Sequence, residues 1–187
     1  MIKALFLDFE DSFTFNLIQE LESVGIKSEV IHWQDFEQLP SEGILILGPG
    51  PGHPDDYQRI FPLVKTWLDA KKPYFGVCLG HQILWRILGE DVVRSKDPLH
   101  GQRVKLTLTE EWQAHLKLKG ELLVQRYNSL AVPSQAGLRN PEFSNFIQND
   151  EILITRGEKL LTYQFHPESV GTTFRKAYFM PILSHLV

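Results

Sequence analysis

Short apolar runs alternate with amphipathic segments along the first half of the chain. Four runs have the composition of buried parallel strands, at residues 2–7, 28–31, 44–47 and 74–77. Apolar positions at helical spacing predict three intervening helices. The first runs from an N-cap at Asp11 or Ser12 to Gly25, the second lies within residues 55–70 around Pro62, and the third follows Cys78 and ends at Gly89.

The second half of the chain has a different pattern, dominated by strands and tight turns. Strands are predicted at residues 103–109, 122–127, 145–148, 152–156 and 160–165, and a last helix is predicted from about Thr172. The alternation of strands and helices predicts one α/β domain over residues 1–187. Its central sheet is expected to be mostly parallel and flanked by helices, with a few antiparallel strands.

Composition and charge narrow the class of protein. Of 187 residues, 43% are apolar and 22% are charged, which is typical of a globular chain with a sizeable core. The net charge of -4, without a dense basic run, argues against nucleic acid or an anionic membrane as partner. The first apolar stretch is too short for a signal peptide, and the final one, residues 177–187, is too short to span a bilayer. We therefore expect a cytoplasmic protein.

The chain has one cysteine, which is therefore either a small buried hydrophobe or a nucleophile. Cys78 ends an apolar strand, directly precedes a helix and has a glycine two residues away on each side. This is the pattern of a nucleophile elbow. The helix N-terminus would favour the thiolate and would direct the N–H group of Leu79 toward an oxyanion beside the sulfur. The alternative is a buried cysteine in a tightly packed strand-turn-helix.

Two polar residues follow Cys78 on the same predicted helix. His81 would have to reach back to act as the base, so we interpret it as structural. Gln82 lies one helical turn beyond the cysteine, where its amide can contact a substrate held over the sulfur.

A catalytic thiol needs a base, and the base needs a group that orients it. The segment His166-Pro167-Glu168 can supply both. Pro167 biases His166 toward an extended conformation, and residues two apart in an extended chain face the same side. The alternative is a surface turn after a strand. In combination with the elbow, the segment favours a Cys-His-Glu catalytic set.

Residues 47–54 form a loop of alternating glycine and proline after the third predicted strand. In a parallel sheet this loop emerges at the same carboxyl edge as the elbow. It can be a simple tight turn or a phosphate-binding loop. However, Pro51 lacks an N–H group and no Lys-Ser/Thr pair follows, so we favour an oxyanion donor.

Taken in order, these motifs resemble the class I, triad-type glutamine amidotransferases, and most of all the glutaminase subunits of anthranilate synthase and aminodeoxychorismate synthase. The resemblance covers essentially the whole chain. It is carried by residues 8–17, the Gly-Pro loop, the elbow, His100-Gly101, residues 126–130 and residues 166–169.

The resemblance implies a flavodoxin-like fold and a triad of Cys78, His166 and Glu168. It implies an oxyanion hole formed by the backbone N–H groups of Gly52 and Leu79. The remaining glutamine-binding residues that it implies are Gly50, Gln82, Ser129 and Leu130. Two positions depart from the family pattern: Asn128 where histidine is usual, and Glu10 where tyrosine is usual.

The implied activity is hydrolysis of L-glutamine to glutamate and ammonia, without metal or cofactor. The ammonia would pass to a chorismate-aminating synthase subunit, making anthranilate or 4-amino-4-deoxychorismate. Two alternatives are a catalytically silent subunit that regulates or scaffolds such a synthase, and a stand-alone cysteine hydrolase acting on γ-glutamyl compounds.

Overall fold

A seven-stranded sheet organises the computed structural model, which describes residues 1–187. The strands are β1 (Ile2–Asp8), β2 (Ile26–His32), β3 (Ile44–Leu47), β4 (Tyr74–Val77), β5 (Val93–Arg94), β6 (Gln102–Leu106), β7 (Leu122–Arg126), β8 (Leu130–Ala131), β9 (Ser144–Gln148), β10 (Glu151–Gly157) and β11 (Leu160–Tyr163). The α-helices are α1 (Thr14–Ser23), α2 (Phe61–Asp69), α3 (Leu79–Ile87), α4 (Glu110–Leu116), α5 (Ser134–Arg139) and α6 (Arg175–Pro181). Two 3₁₀ segments, Trp33–Asp35 and Pro54–Ile60, and a terminal π-helical turn, Ile182–Leu186, complete the chain.

The main sheet has the strand order β2-β1-β3-β4-β11-β10-β9. Neighbours from β2 to β11 pair in parallel, whereas β10 pairs antiparallel with both β11 and β9. Two small antiparallel sheets, β5-β8 and β6-β7, lie outside it. This arrangement confirms the predicted α/β class with a mostly parallel sheet and antiparallel additions.

Both faces of the central strands are covered, which explains why they read as continuous apolar runs rather than alternating ones. Ile44 and Ile46 of β3 join the core on one side of the sheet, while Leu45 and Leu47 join the core on the other. The first core includes residues of α1, α4 and α6, and the second includes residues of α2 and α3.

Several predicted boundaries were wrong. Helix α1 begins at Thr14 rather than at Asp11 or Ser12, because the Asp11 carboxylate instead accepts from the Phe13 N–H at 2.8 Å in the preceding turn. The strand predicted at 103–109 ends at Leu106, and the last helix begins at Arg175 rather than near Thr172. Helices α4 and α5 and the short strands β5 and β8 were not predicted. No helix in the structure is both long enough and apolar enough to cross a membrane.

Candidate active site

Cys78 lies at the junction of β4 and α3, in the sharp turn typical of a nucleophile elbow. Its φ of 51° and ψ of -98° place it in a region that side-chain-bearing residues rarely occupy. Two backbone hydrogen bonds hold the turn in this conformation. The Cys78 N–H donates to the Tyr163 oxygen at 2.8 Å, and the Cys78 oxygen accepts from the Gln82 N–H at 3.1 Å. The strain of the turn is therefore carried by the cysteine itself.

The glycines on either side of Cys78 are required for close approach rather than for unusual dihedrals. A Cβ on Gly80 would lie 2.2 Å from the carbonyl oxygen of Leu47, and a Cβ on Gly76 would lie 2.8 Å from the carbonyl carbon of Gly80. Distances this short are not tolerated between real atoms, so helix α3 can begin against β3 only because both positions lack a side chain.

His166 lies between Cys78 and Glu168. Its Nδ1 is 2.7 Å from Glu168 Oε1, and both side chains are almost fully buried. Burial alone would lower the pKa of His166, but the charges of Glu168 and Cys78, together with the hydrogen bond to Glu168, raise that pKa well above its usual value. The site therefore favours an imidazolium facing the sulfur.

The extended conformation predicted for this segment is found at His166 but not at the residues that follow it. His166 itself pairs with Gln125, and its backbone N–H donates a hydrogen bond to the Gln125 oxygen at 2.9 Å. The chain then turns, with the Ser169 N–H donating to the His166 oxygen at 3.3 Å and Pro167 as the second residue of the turn. Histidine and carboxylate meet because a β-turn folds Glu168 back onto the ring, and not because they alternate along a strand.

Two aromatic rings hold the His166 imidazole in place. The ring of Phe13 lies 5.1 Å from it and the ring of Tyr127 lies 5.0 Å from it, measured between centroids. The sequence patterns gave no specific role to either ring. Phe13 lies just before α1, where its ring packs against the histidine.

His81 makes a clear contrast with His166. It is fully buried, and its Nδ1 lies 2.8 Å from Thr162 Oγ1. Burial, reinforced by the positive charge of Arg126, lowers the pKa of His81 to about 3. This histidine is therefore neutral at physiological pH, and its Nδ1 contacts Thr162, in keeping with the structural role inferred for it.

The Gly-Pro loop packs directly against the start of α3. The Gly80 N–H donates to the Gly48 oxygen at 3.2 Å, and a Cβ on Gly50 would lie 2.5 Å from both the Leu79 and Phe9 side chains. Gly52 has a φ of 74°, which favours glycine. The structure thus brings the loop that carries Gly50 and Gly52 beside Leu79, whose N–H is one of the orphan donors at the first turn of α3.

The remaining predicted binding residues meet on one stretch of backbone. The Leu130 oxygen accepts from Gln82 Nε2 at 3.1 Å and from Asn128 Nδ2 at 2.9 Å, while the Ser129 oxygen accepts from the Ser95 N–H at 2.9 Å. Gln82 is therefore tied to the Ser129-Leu130 segment. Both of its N–H groups are used within the protein, the second by Gln164, which leaves Gln82 Oε1 as the group free for a ligand.

The two departures from the family pattern are in different environments. Asn128 is buried and also accepts from Arg126 Nε at 3.0 Å, and Arg126 in turn forms a buried ion pair with Glu151. Glu10 is exposed, has a φ of 63° and lies 3.7 Å from His32 Nε2. Asn128 therefore supports the carbonyl that Gln82 uses, whereas Glu10 contributes to the outer surface.

Comparison with known proteins assigns the chain to a family. The family model described as Glutamine amidotransferase class-I matches residues 5–184. The chain belongs to the class I glutamine amidotransferase family. It is 33% identical over 188 residues to anthranilate synthase component 2 of Helicobacter pylori strain J99, covering 91% of each chain. It is 34% identical over 184 residues to aminodeoxychorismate/anthranilate synthase component 2 of Bacillus subtilis strain 168, covering 92% of this chain and 91% of that protein.

Structural comparison supports the fold of this amidotransferase. The crystal structure of a glutamine amidotransferase from Thermotoga maritima superposes with a TM-score of 0.67 at 19% identity, covering 89% of this chain and 76% of that one. At 19% identity the structural similarity shows a shared fold and nothing more. The sheet that positions Cys78 is thus the framework of the family.

Proposed function

We propose that this class I glutamine amidotransferase is the glutaminase component of a chorismate-aminating synthase, with Cys78, His166 and Glu168 as its catalytic triad. The observation that carries the proposal is the buried His166, in contact with Cys78 on one side and 2.7 Å from Glu168 Oε1 on the other. The raised pKa of His166 lets this histidine hold a proton beside the sulfur, which is what a cysteine nucleophile requires of its base.

In the first half-reaction the Cys78 thiolate attacks the side-chain amide carbon of L-glutamine and forms the C–S bond. The N–H groups of Gly52 and Leu79 hold the resulting oxyanion. His166 gives its proton to the amide nitrogen, the C–N bond breaks, and ammonia leaves a γ-glutamyl thioester on Cys78.

In the second half-reaction water attacks the thioester carbon and gives a proton to His166. The tetrahedral intermediate collapses, the C–S bond breaks, and glutamate leaves while Cys78 returns to the thiolate. Gly50, Gln82 and the Ser129-Leu130 backbone position the glutamine, with Gln82 Oε1 acting as an acceptor. No metal or cofactor is needed for any of these steps.

The ammonia product is proposed to be used by a chorismate-binding synthase subunit, which docks beside the triad. Two large apolar side chains that follow Glu168 in the chain are exposed, namely Val170 and Phe174. Val170 and Phe174 line one shallow cavity with Glu20, and Glu20 lines a second cavity with Glu168. An apolar patch next to a site that releases a diffusible product is well placed for a partner that receives it.

The glutaminase proposal is tested with Cys78→Ala. The variant is expected to keep its fold and to form no glutamate from glutamine, while free ammonium salts still support chorismate amination by the partner. Glutamate formation by the wild type should rise when the synthase subunit is added. Glutamate release by Cys78→Ala at the wild-type rate would refute the nucleophile, absence of wild-type release even with the partner would favour the silent subunit, and full release without any partner would favour the stand-alone hydrolase.

The docking proposal is tested with a Val170→Asp/Phe174→Asp double variant. It is expected to lose glutamine-dependent amination of chorismate and to keep the glutaminase activity of the free subunit. The matched control is Leu138→Asp, because Leu138 is equally exposed and apolar but lies on α5. Equal effects of the two changes would argue against docking at this patch. The product, anthranilate or aminodeoxychorismate, is identified in the same assay.

A further inference from the structure

The side chain of Gln164 contacts the sulfur of Cys78 and has no part in the mechanism described above. Gln164 directly follows β11 and is fully buried. Its Nε2 lies 3.8 Å from Cys78 Sγ, within hydrogen-bond range for sulfur. Its backbone N–H donates a hydrogen bond to the Leu153 oxygen at 2.9 Å, which anchors the residue to strand β10.

The orientation of the Gln164 amide is determined by its neighbour. Gln82 Nε2 donates to Gln164 Oε1 at 3.1 Å and to the Leu130 oxygen at 3.1 Å, which uses both of its hydrogens. With its oxygen held by Gln82, the Gln164 amide has only its NH₂ group to turn toward the sulfur. The donor beside Cys78 is therefore specified by a chain of buried hydrogen bonds.

We propose that Gln164 is a further catalytic residue, whose amide donates to Cys78 Sγ and stabilises the thiolate, and that Gln82 is the positioning residue that orients this amide. A hydrogen bond to an anion is stronger than one to the neutral group, so the contact favours the thiolate over the thiol. His166 is the ionisable side chain in contact with the sulfur, and it loses its proton to the leaving ammonia. The neutral amide keeps its donor throughout, so it also supports the thiolate as the thioester breaks down.

This inference rests on Cys78 being the nucleophile of the proposed function, but it can be measured without glutamine. The rate of Cys78 alkylation by iodoacetamide, followed against pH in the free protein, reports the fraction of thiolate. Gln164→Met keeps the length of the side chain and removes the donor, and Gln164→Glu places a carboxylate there. We expect the pH midpoint of alkylation to rise by about one unit in the first variant, a tenfold change, and further in the second.

Gln148→Met is the matched control. Gln148 also has both ends of its amide bonded within the protein, to the Thr107 N–H and the Lys105 oxygen, but it lies on the edge strand β9. Its alkylation profile should match that of the wild type. Gln82→Met leaves Gln164 in place and frees its amide to rotate, so it should raise the midpoint by a smaller amount.

An unchanged midpoint in both Gln164 variants, with circular dichroism showing a folded protein, would overturn the inference. If the Gln164 variants do not fold, Gln82→Met decides, and an unchanged midpoint there has the same meaning. A raised midpoint in a protein that releases no glutamate would leave the inference standing and would refute the glutaminase function alone.

Discussion

Replacing Glu168 by glutamine tests the electrostatic core of the proposed mechanism. The change keeps the size of the side chain and an oxygen that can face His166 Nδ1, where the carboxylate oxygen now lies at 2.7 Å. It removes the negative charge. Since both side chains are almost fully buried, water cannot replace that charge.

The expected loss follows from the separation of the two charges. Unit charges about 4 Å apart at an effective dielectric constant of about 20 interact by about 4 kcal/mol. If the imidazolium loses this stabilisation where His166 must hold and transfer a proton, kcat for glutamine hydrolysis should fall by about a thousandfold. The pKa of His166 should fall toward its usual value, so the alkaline limb of the pH-rate profile should move to lower pH.

The assay is steady-state glutamate release with the synthase partner, from about pH 6 to 10, so that the profile extends well above the usual pKa of histidine. Glu90→Gln is the matched control. Glu90 is also a buried carboxylate, but its Oε1 accepts from Arg139 Nε at 3.0 Å and it makes no bond to His166. The control should retain the wild-type kcat. A Glu168→Gln variant within threefold of the wild type, with an unmoved alkaline limb, would refute the reasoning.

Two further predictions concern the scaffold around the elbow. Gly80→Ala should reduce the free energy of unfolding by about 3 kcal/mol and the melting temperature by roughly 10 °C, because the new Cβ would meet the Leu47 backbone oxygen. Gly89→Ala, with a φ of 85° and open space around it, should cost only about 1 kcal/mol, and equal losses in the two variants would contradict the packing argument. The lowered pKa of His81 makes the folded state bind a proton less readily than the unfolded chain, so stability present above about pH 6.5 should be lost on acidification, by about 2 kcal/mol at pH 5. Urea titrations at pH 5 and above about pH 6.5 should show a smaller difference in the free energy of unfolding for His81→Asn than for the wild type, because the asparagine amide can still bond Thr162 but does not titrate. An undiminished difference would show that another group is responsible.

The sequence predicted the parallel half of the sheet well because those strands are buried on both faces. Such strands appear as short apolar runs between helices, and β3 and β4 were predicted with their observed bounds. The elements that were missed are short, and their formation depends on tertiary contacts. Helix α4, for example, has seven residues, and the side chain of Thr109 caps it by accepting from the Trp112 N–H at 3.4 Å. The residues directly before this helix were predicted as the end of a strand, at 103–109.

For the site, sequence motifs indicated the candidate residues, while their geometry depends on contacts distant in the chain. Local patterns singled out Cys78 and Glu168 as candidates, but they did not predict the β-turn that joins Glu168 to His166. Gln164 was overlooked because a glutamine at the end of a strand has no distinctive pattern. Its role depends on Gln82, which is separated from it by 82 positions in the sequence. Phe13 could have been linked to the site only through the family motif at residues 8–17, which contains it.

The dihedral angles of Cys78 imply that this turn would be more stable with a glycine in place of the cysteine. A side chain at φ 51° and ψ -98° costs of order 1–3 kcal/mol, which a glycine would not incur. A glycine normally makes a protein less stable than an alanine at the same position. Here the order should be reversed, and Cys78→Gly should have a higher melting temperature than Cys78→Ala. The strain at Cys78 is thus a cost in stability at the position of the proposed nucleophile.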